Sequence, residues 1–191
     1  HERIGQAMEW AYEDRLEEFY EMLAYHYSRG DNFAKAYQYL KCSGDKAARN
    51  YANWEAVRFY KEAIEVLNNQ PETEETKQEK LQVYLSMITP MVMLSYLEGT
   101  DEVFEEAEKL SKEFDDAKSL AYIYGRLGTY YTHIGKVTLG REYSEKAFDE
   151  AERIGAIDLM ASIALDVCFA HSISGNFIIT VDVAARVIRI L

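Results

Sequence analysis

Apolar side chains return every three or four residues through almost every segment of this 191-residue chain, the period of a helix with one buried face. Turn signals interrupt the pattern only at "SRGDN", "SGD", "NNQPETEE", "LEGTDE", "HIGK", "ERIGAID" and "SISGN". Between them the spacing predicts about nine or ten helices joined by short loops. The one linker-like stretch runs from Asn68 to Thr76, where Pro71 precedes a glutamate-rich run. Those glutamates suit the positive end of a helix dipole and need no ligand to explain them. Pro90, in "SMITPMVML", removes a helical hydrogen bond and is expected to kink a long helix or split it in two.

The helices repeat. Tyr124-x2-Leu127-Gly128-x2-Tyr131 recurs as Tyr20-x2-Leu23-Ala24-x2-Tyr27 and more loosely as Ala164-x2-Val167-Cys168-x2-His171. A turn glycine follows each, at Gly30, Gly135 and Gly175, and then a second helix with a small residue facing back: Ala36, Gly140, and Ala184 one turn late. Residues 53 to 67 supply another second helix through Ala56, Tyr60 and Ala63. Small residues at these places let antiparallel helices approach closely, which explains Gly128 and Gly140 inside helical sequence. By this spacing Tyr20, Tyr27, Tyr60, Tyr124 and Tyr131 belong to the core.

Composition sharpens the reading. Two prolines and ten glycines leave a strongly helical chain, and the net charge of −12 disfavours nucleic acid and anionic membrane as partners. Cys42 and Cys168 lie far apart in no metal spacing, which suits a reducing compartment, so a cytoplasmic location is expected. No signal peptide is visible, and the apolar run from Met87 to Leu97 is too short to span a bilayer. The uncapped apolar close "ARVIRIL" reads as the edge of a fragment, and Val187, Ile188, Ile190 and Leu191 are expected to stand exposed and support a homodimer through the last helix.

The Leu-Gly-x2-Tyr motif, the turn glycine and the small residues of the second helix resemble the tetratricopeptide (TPR) repeat. Leu127, Gly128, Tyr131, Gly135 and Ala147 match it, Tyr124 stands where the family usually has Trp, Gly140 replaces Ala, and Ser144 replaces an aromatic. The resemblance implies an all-α fold, a right-handed α-solenoid of antiparallel TPR-like pairs in a single domain over 1–191, with irregular repeats at 17–42, 43–67, 76–114, 117–153 and 157–191. Residues 23 to 67, with "DEVFEEAEKL" and "GKVTLGREYSEKA", are also similar to the helical region that follows the AAA- or STAND-type ATPase module in large cyclase-containing signalling proteins. No cyclase or ATPase motif is present in the chain itself.

Candidate chemistry is sparse. Glycines 125, 128, 135 and 140 form no phosphate-binding fingerprint, and two possible ligands, Cys168 and His171, make no metal site, so no cofactor and no metal are expected. His26 and His133 have no nucleophile or paired acid nearby, and Glu17-Glu18 and Glu105-Glu106 follow a solvated helix face, so the chain is not expected to be an enzyme. If the TPR register holds, Tyr25, Arg29, Tyr122, Arg126, Thr129 and Thr132 lie on the concave face made by the first helices of the pairs. The expected function is a non-catalytic protein-interaction scaffold whose partner is a protein or peptide, including another domain of the parent chain. The alternative is a sensor of a small inducer controlling an attached ATPase, cyclase or transcription regulator.

Overall fold

The computed structural model describes residues 1–95 and 97–189, all of whose regular structure is helical. The chain divides into two compact units, His1–Leu94 and Ser95–Leu191. The first holds α1 (Glu2–Ala11), a short 3-10 segment (Glu13–Phe19), α2 (Tyr20–Tyr27), α3 (Phe33–Arg49), α4 (Asn53–Asn68) and α5 (Glu74–Leu94). The second holds α6 (Thr100–Glu113), α7 (Ala117–His133), α8 (Val137–Arg153), α9 (Ile157–Ile173) and α10 (Phe177–Ile188). Among the described residues no helix is long and apolar enough to cross a membrane.

Local chemistry sets the helix ends. Asn32 and Asp116 accept hydrogen bonds from the Lys35 and Ser119 amides and so cap α3 and α7. Gly135, Gly155 and Gly175 adopt the left-handed conformation that ends α7, α8 and α9. The "SGD" signal is not a turn: Gly44 lies inside α3 because the buried ring of Tyr60, on α4, packs against it, and a Cβ there would lie 2.5 Å from the ring. Pro90 does not split α5, which runs unbroken from Glu74 to Leu94.

In the second unit α7 and α8 pack antiparallel. Gly128 meets Ser144 while Gly140 meets Thr132, so one chain position rises as its partner falls. The same close approach joins α3 to α4, where Gly44 precedes Ala56, Tyr60 and Ala63 at the spacing by which Gly128 precedes Gly140, Ser144 and Ala147. In α9 and α10 the equivalents are Cys168 and Thr180, and the Cys168 thiol lies 3.7 Å from the Thr180 carbonyl. Helices two apart run parallel: Glu9 of α1 pairs with Lys35 of α3, Arg126 of α7 with Asp166 of α9, and Arg186 of α10 with Asp149 and Glu152 of α8.

This register corrects the expected one. The first close pair after α2 is α3–α4, spanning residues 33–68, so the boundary between 17–42 and 43–67 falls in the middle of a helix. Ala184 is exposed, because Val183 is the α10 residue turned inward. Tyr27, Tyr60 and Tyr124 are core residues as expected, while Tyr20 and Tyr131 are half-buried. In the first unit Tyr27 packs on Gly5, stacks on Tyr39, and joins Tyr39 and Lys35 in hydrogen-bonding Glu9. Burial raises the Glu9 carboxyl, but those three donors outweigh it and hold the group below its ordinary value.

Candidate binding surfaces

Two of the six residues expected to line a groove lie in the first unit, Tyr25 on α2 and Arg29 in the turn that follows it. Both line a cleft of about 310 Å³ between α2 and α4, with Glu21, Ser28, Arg58, Phe59 and Glu62. The Arg29 guanidinium lies 3.8 Å over the half-exposed Tyr25 ring and has no carboxylate partner among the described residues. Arg58 stacks 4.0 Å over Phe59 and bonds Glu62 at 2.8 Å. Stacking a guanidinium on an aromatic face leaves its edge free to donate to an acceptor in the cleft. Arg58 was not foreseen; its signal was the Arg-Phe neighbour pair at 58 and 59, opposite the Tyr25-Arg29 helical turn.

The second unit holds Tyr122, Arg126, Thr129 and Thr132, all on α7. The structure draws the first three together on the side facing α9, where Arg126 pairs with Asp166, Tyr122 stands 5.9 Å from the guanidinium, and Thr129 bonds the same carboxylate. Burial is the largest influence on Asp166 and leaves its carboxyl above the ordinary value, although Arg126, Thr129 and His133 oppose the rise. Within this cluster the Arg126 Nε is buried without a hydrogen-bond partner among the described residues. Thr132 is a correction: it is buried at the α7–α8 crossing, where its hydroxyl donates to the Gly128 carbonyl at 2.8 Å, and so cannot touch a partner.

Two further features lay outside the sequence reading. A cavity of about 360 Å³ among α6, α7 and α8 is lined by Asp101, Glu105, Glu108, Lys136, Tyr131 and Tyr143, with an excess of carboxylates over two tyrosine walls. Tyr124 borders it and donates to Glu108 at 3.0 Å, and burial with this bond pushes its phenol up to about 12. His171 is completely buried, as a packing position requires, and its Nε2 lies 2.7 Å from Glu145 Oε1 but off the line of a hydrogen bond. Cys168 and His171 both serve packing, and no group of three or more potential metal ligands occurs among the described residues.

Comparison with known proteins adds the fold. No family model matches the chain, and no curated protein matches it. A solved structure, BtubC (BKLC) from P. vanneervenii, is similar over 93% of this chain and 72% of its own length, with a TM-score of 0.73 and 14% sequence identity. At that identity the likeness is one of fold alone: the chain shares an all-helical architecture with BtubC.

Proposed function

We propose that this chain is a non-catalytic interaction scaffold, an α-solenoid of TPR-like pairs that binds a protein or peptide segment. The observation that carries the reading is the recurring close-packed pair: Gly44 packs on Tyr60 and Gly128 on Ser144, each sixteen residues on, and Cys168 meets Thr180 twelve residues on, as Gly128 meets Gly140. Such pairs devote their small residues to stacking and leave the outer faces open for partners. The α2–α4 cleft is the docking place, with Tyr25 and Phe59 as aromatic platforms and Arg29 and Arg58 as donors to a peptide carboxylate or carbonyl. By its resemblance to helical regions that follow ATPase modules, the docked segment belongs to an attached ATPase or cyclase domain.

A random peptide library selected on the chain tests this. Enrichment of peptides bearing acidic residues is expected, with Arg29→Ala and Arg58→Ala each weakening binding by about tenfold. Selected peptides indifferent to both substitutions would overturn the docking place, and the failure of any peptide to enrich would overturn the scaffold.

The cavity among α6, α7 and α8 supports a second reading, a sensor of a small cationic ligand. Its volume falls at the lower end of the range for small-molecule sites, and carboxylates beside tyrosine rings favour an amine. A panel of polyamines and organic amines should then raise the melting temperature of the chain, and a panel without effect at millimolar concentration excludes this reading.

A further inference from the structure

The α2–α4 cleft holds two guanidinium groups in the same pose, one on each side. Arg29 lies 3.8 Å from the centre of the Tyr25 ring and Arg58 lies 4.0 Å from the centre of the Phe59 ring. A stacked guanidinium keeps its plane fixed and its edge free, which leaves a fork of N–H donors for an acceptor group. α3 packs against both α2 and α4, so the cleft lies within the run of helices and not at either end of it. The carboxylates on its rim are already engaged: Glu62 bonds Arg58 at 2.8 Å, and Glu21 reaches Lys46 of α3 at 3.4 Å. Arg29 has no carboxylate partner among the described residues, so a chain of net charge −12 keeps an uncompensated cation at this place.

We infer, resting on the docking place proposed above, that the cleft takes a phosphorylated serine or threonine of the docked peptide, with Arg29 and Arg58 closing on its phosphoryl oxygens and Glu62 displaced from Arg58. Glu62 decides between a phosphoryl group and a carboxylate. It stands one helical turn from Arg58 on the same helix, so it is always at hand, and a peptide carboxylate offers Arg58 only the same charge and the same two oxygens. Such a peptide is left with Arg29 and the edge of Arg58 that Glu62 does not use. A phosphoryl group brings about two charges and three acceptor oxygens at neutral pH, enough to engage both forks and draw Arg58 away. The Ser28 hydroxyl lines the same cleft as a neutral donor. Breaking the resident pair costs little, because Arg58 and Glu62 are 56% and 42% exposed at the side chain and the released carboxylate returns to water. The net charge of −12 repels an anionic lipid surface, which favours a single phosphoryl group carried on a peptide.

Three peptide libraries that differ only in a fixed central residue, phosphoserine, glutamate or serine, test this when their binding to the chain is followed by fluorescence polarisation. The phosphoserine library is expected to bind at least about tenfold more tightly than the glutamate library. Arg29→Ala and Arg58→Ala should each abolish most of that gap, and so should Arg58→Lys, which keeps the charge and loses the fork. Glu62→Gln acts in the opposite direction and should strengthen phosphoserine binding, because the resident competitor is gone. All three side chains reach water, so the variants keep the helicity and melting temperature of the parent. Phosphoserine and glutamate libraries that bind equally, both still dependent on Arg29, would overturn the phosphoryl inference and leave the docking place standing. Binding indifferent to Arg29 and Arg58 would overturn the docking place as well. Glu62→Gln without effect, or weakening, would overturn the displacement of Glu62. Phosphatidic acid vesicles that displace the phosphoserine peptides at equal phosphate concentration would assign the site to lipid and overturn the peptide as its source.

Discussion

Gly128→Ala is expected to lower the melting temperature of the chain and Gly128→Leu to lower it further, although alanine is the better helix former. In an open helix the exchange of glycine for alanine gains about 1 kcal/mol. At this crossing a Cβ would lie 2.9 Å from both the Gly140 carbonyl oxygen and the Ser144 amide nitrogen, and closer still to the Ser144 hydroxyl. Two of those three neighbours are backbone, which cannot swing aside as a side chain can. The overpacking therefore outweighs the propensity gain, with a net cost of about 1–3 kcal/mol for alanine and more for leucine. For a chain of this length each kcal/mol is worth roughly 2–4 °C. Gly140 is the mirror of the same contact, since its Cβ would lie 2.8 Å from the Gly128 carbonyl oxygen and the Thr132 nitrogen. Gly135 offers the control: nothing lies within 4 Å of its added Cβ, so Gly135→Ala suffers only the left-handed backbone, about 1–2 kcal/mol. Differential scanning calorimetry that found Gly128→Ala more stable than the parent would contradict the close crossing.

The same glycines show why the repeat was legible and its register was not. Gly128, Gly135 and Gly140 mark one crossing and one turn, and nothing in their neighbourhood competes with that reading. Gly44 carries the same crossing signal, but "SGD" resembles a turn, and propensity alone favours breaking the helix there. What keeps α3 whole is Tyr60, sixteen residues away and invisible to any local window. The lost crossing displaced the expected boundary between 17–42 and 43–67 into the middle of α3. Thr132 failed for a different reason. The TPR register put it on the concave face, yet its hydroxyl bonds the Gly128 carbonyl within its own helix and needs no water. The end of α10 was half legible: of the four residues expected to stand exposed, Ile188 does, Val187 is half-buried, and Ile190 and Leu191 lie outside the described residues.

Arg126→Met is expected to destabilise the chain by about 3–5 kcal/mol at neutral pH, the cost of leaving a buried carboxylate without its cation. Arg126 and Asp166 are 15% and 17% exposed at the side chain, so water recovers little of the loss. The pH dependence follows from the Asp166 carboxyl, which burial already holds above its ordinary value of 3.8 while Arg126 restrains the rise. A carboxyl raised by folding binds its proton more tightly in the native state, so stability falls as pH climbs from the unfolded value through the folded one. Removing Arg126 takes away the chief restraint, raises the folded value further and widens that window. The variant should therefore be close to the parent in stability near pH 4 and fall behind as the pH approaches 7. Arg126→Met with Asp166→Asn removes both charges, and replacing both partners of a buried pair is often neutral or stabilising. Its stability should recover most of the loss and become insensitive to pH over the same range. Denaturant unfolding of the three proteins between pH 4 and pH 8 measures this directly. If Arg126→Met lost equal stability at every pH, or if the double variant were no better than the single, the pair would act by packing alone and the polar cluster of Tyr122, Arg126 and Thr129 would have to be read as an open surface.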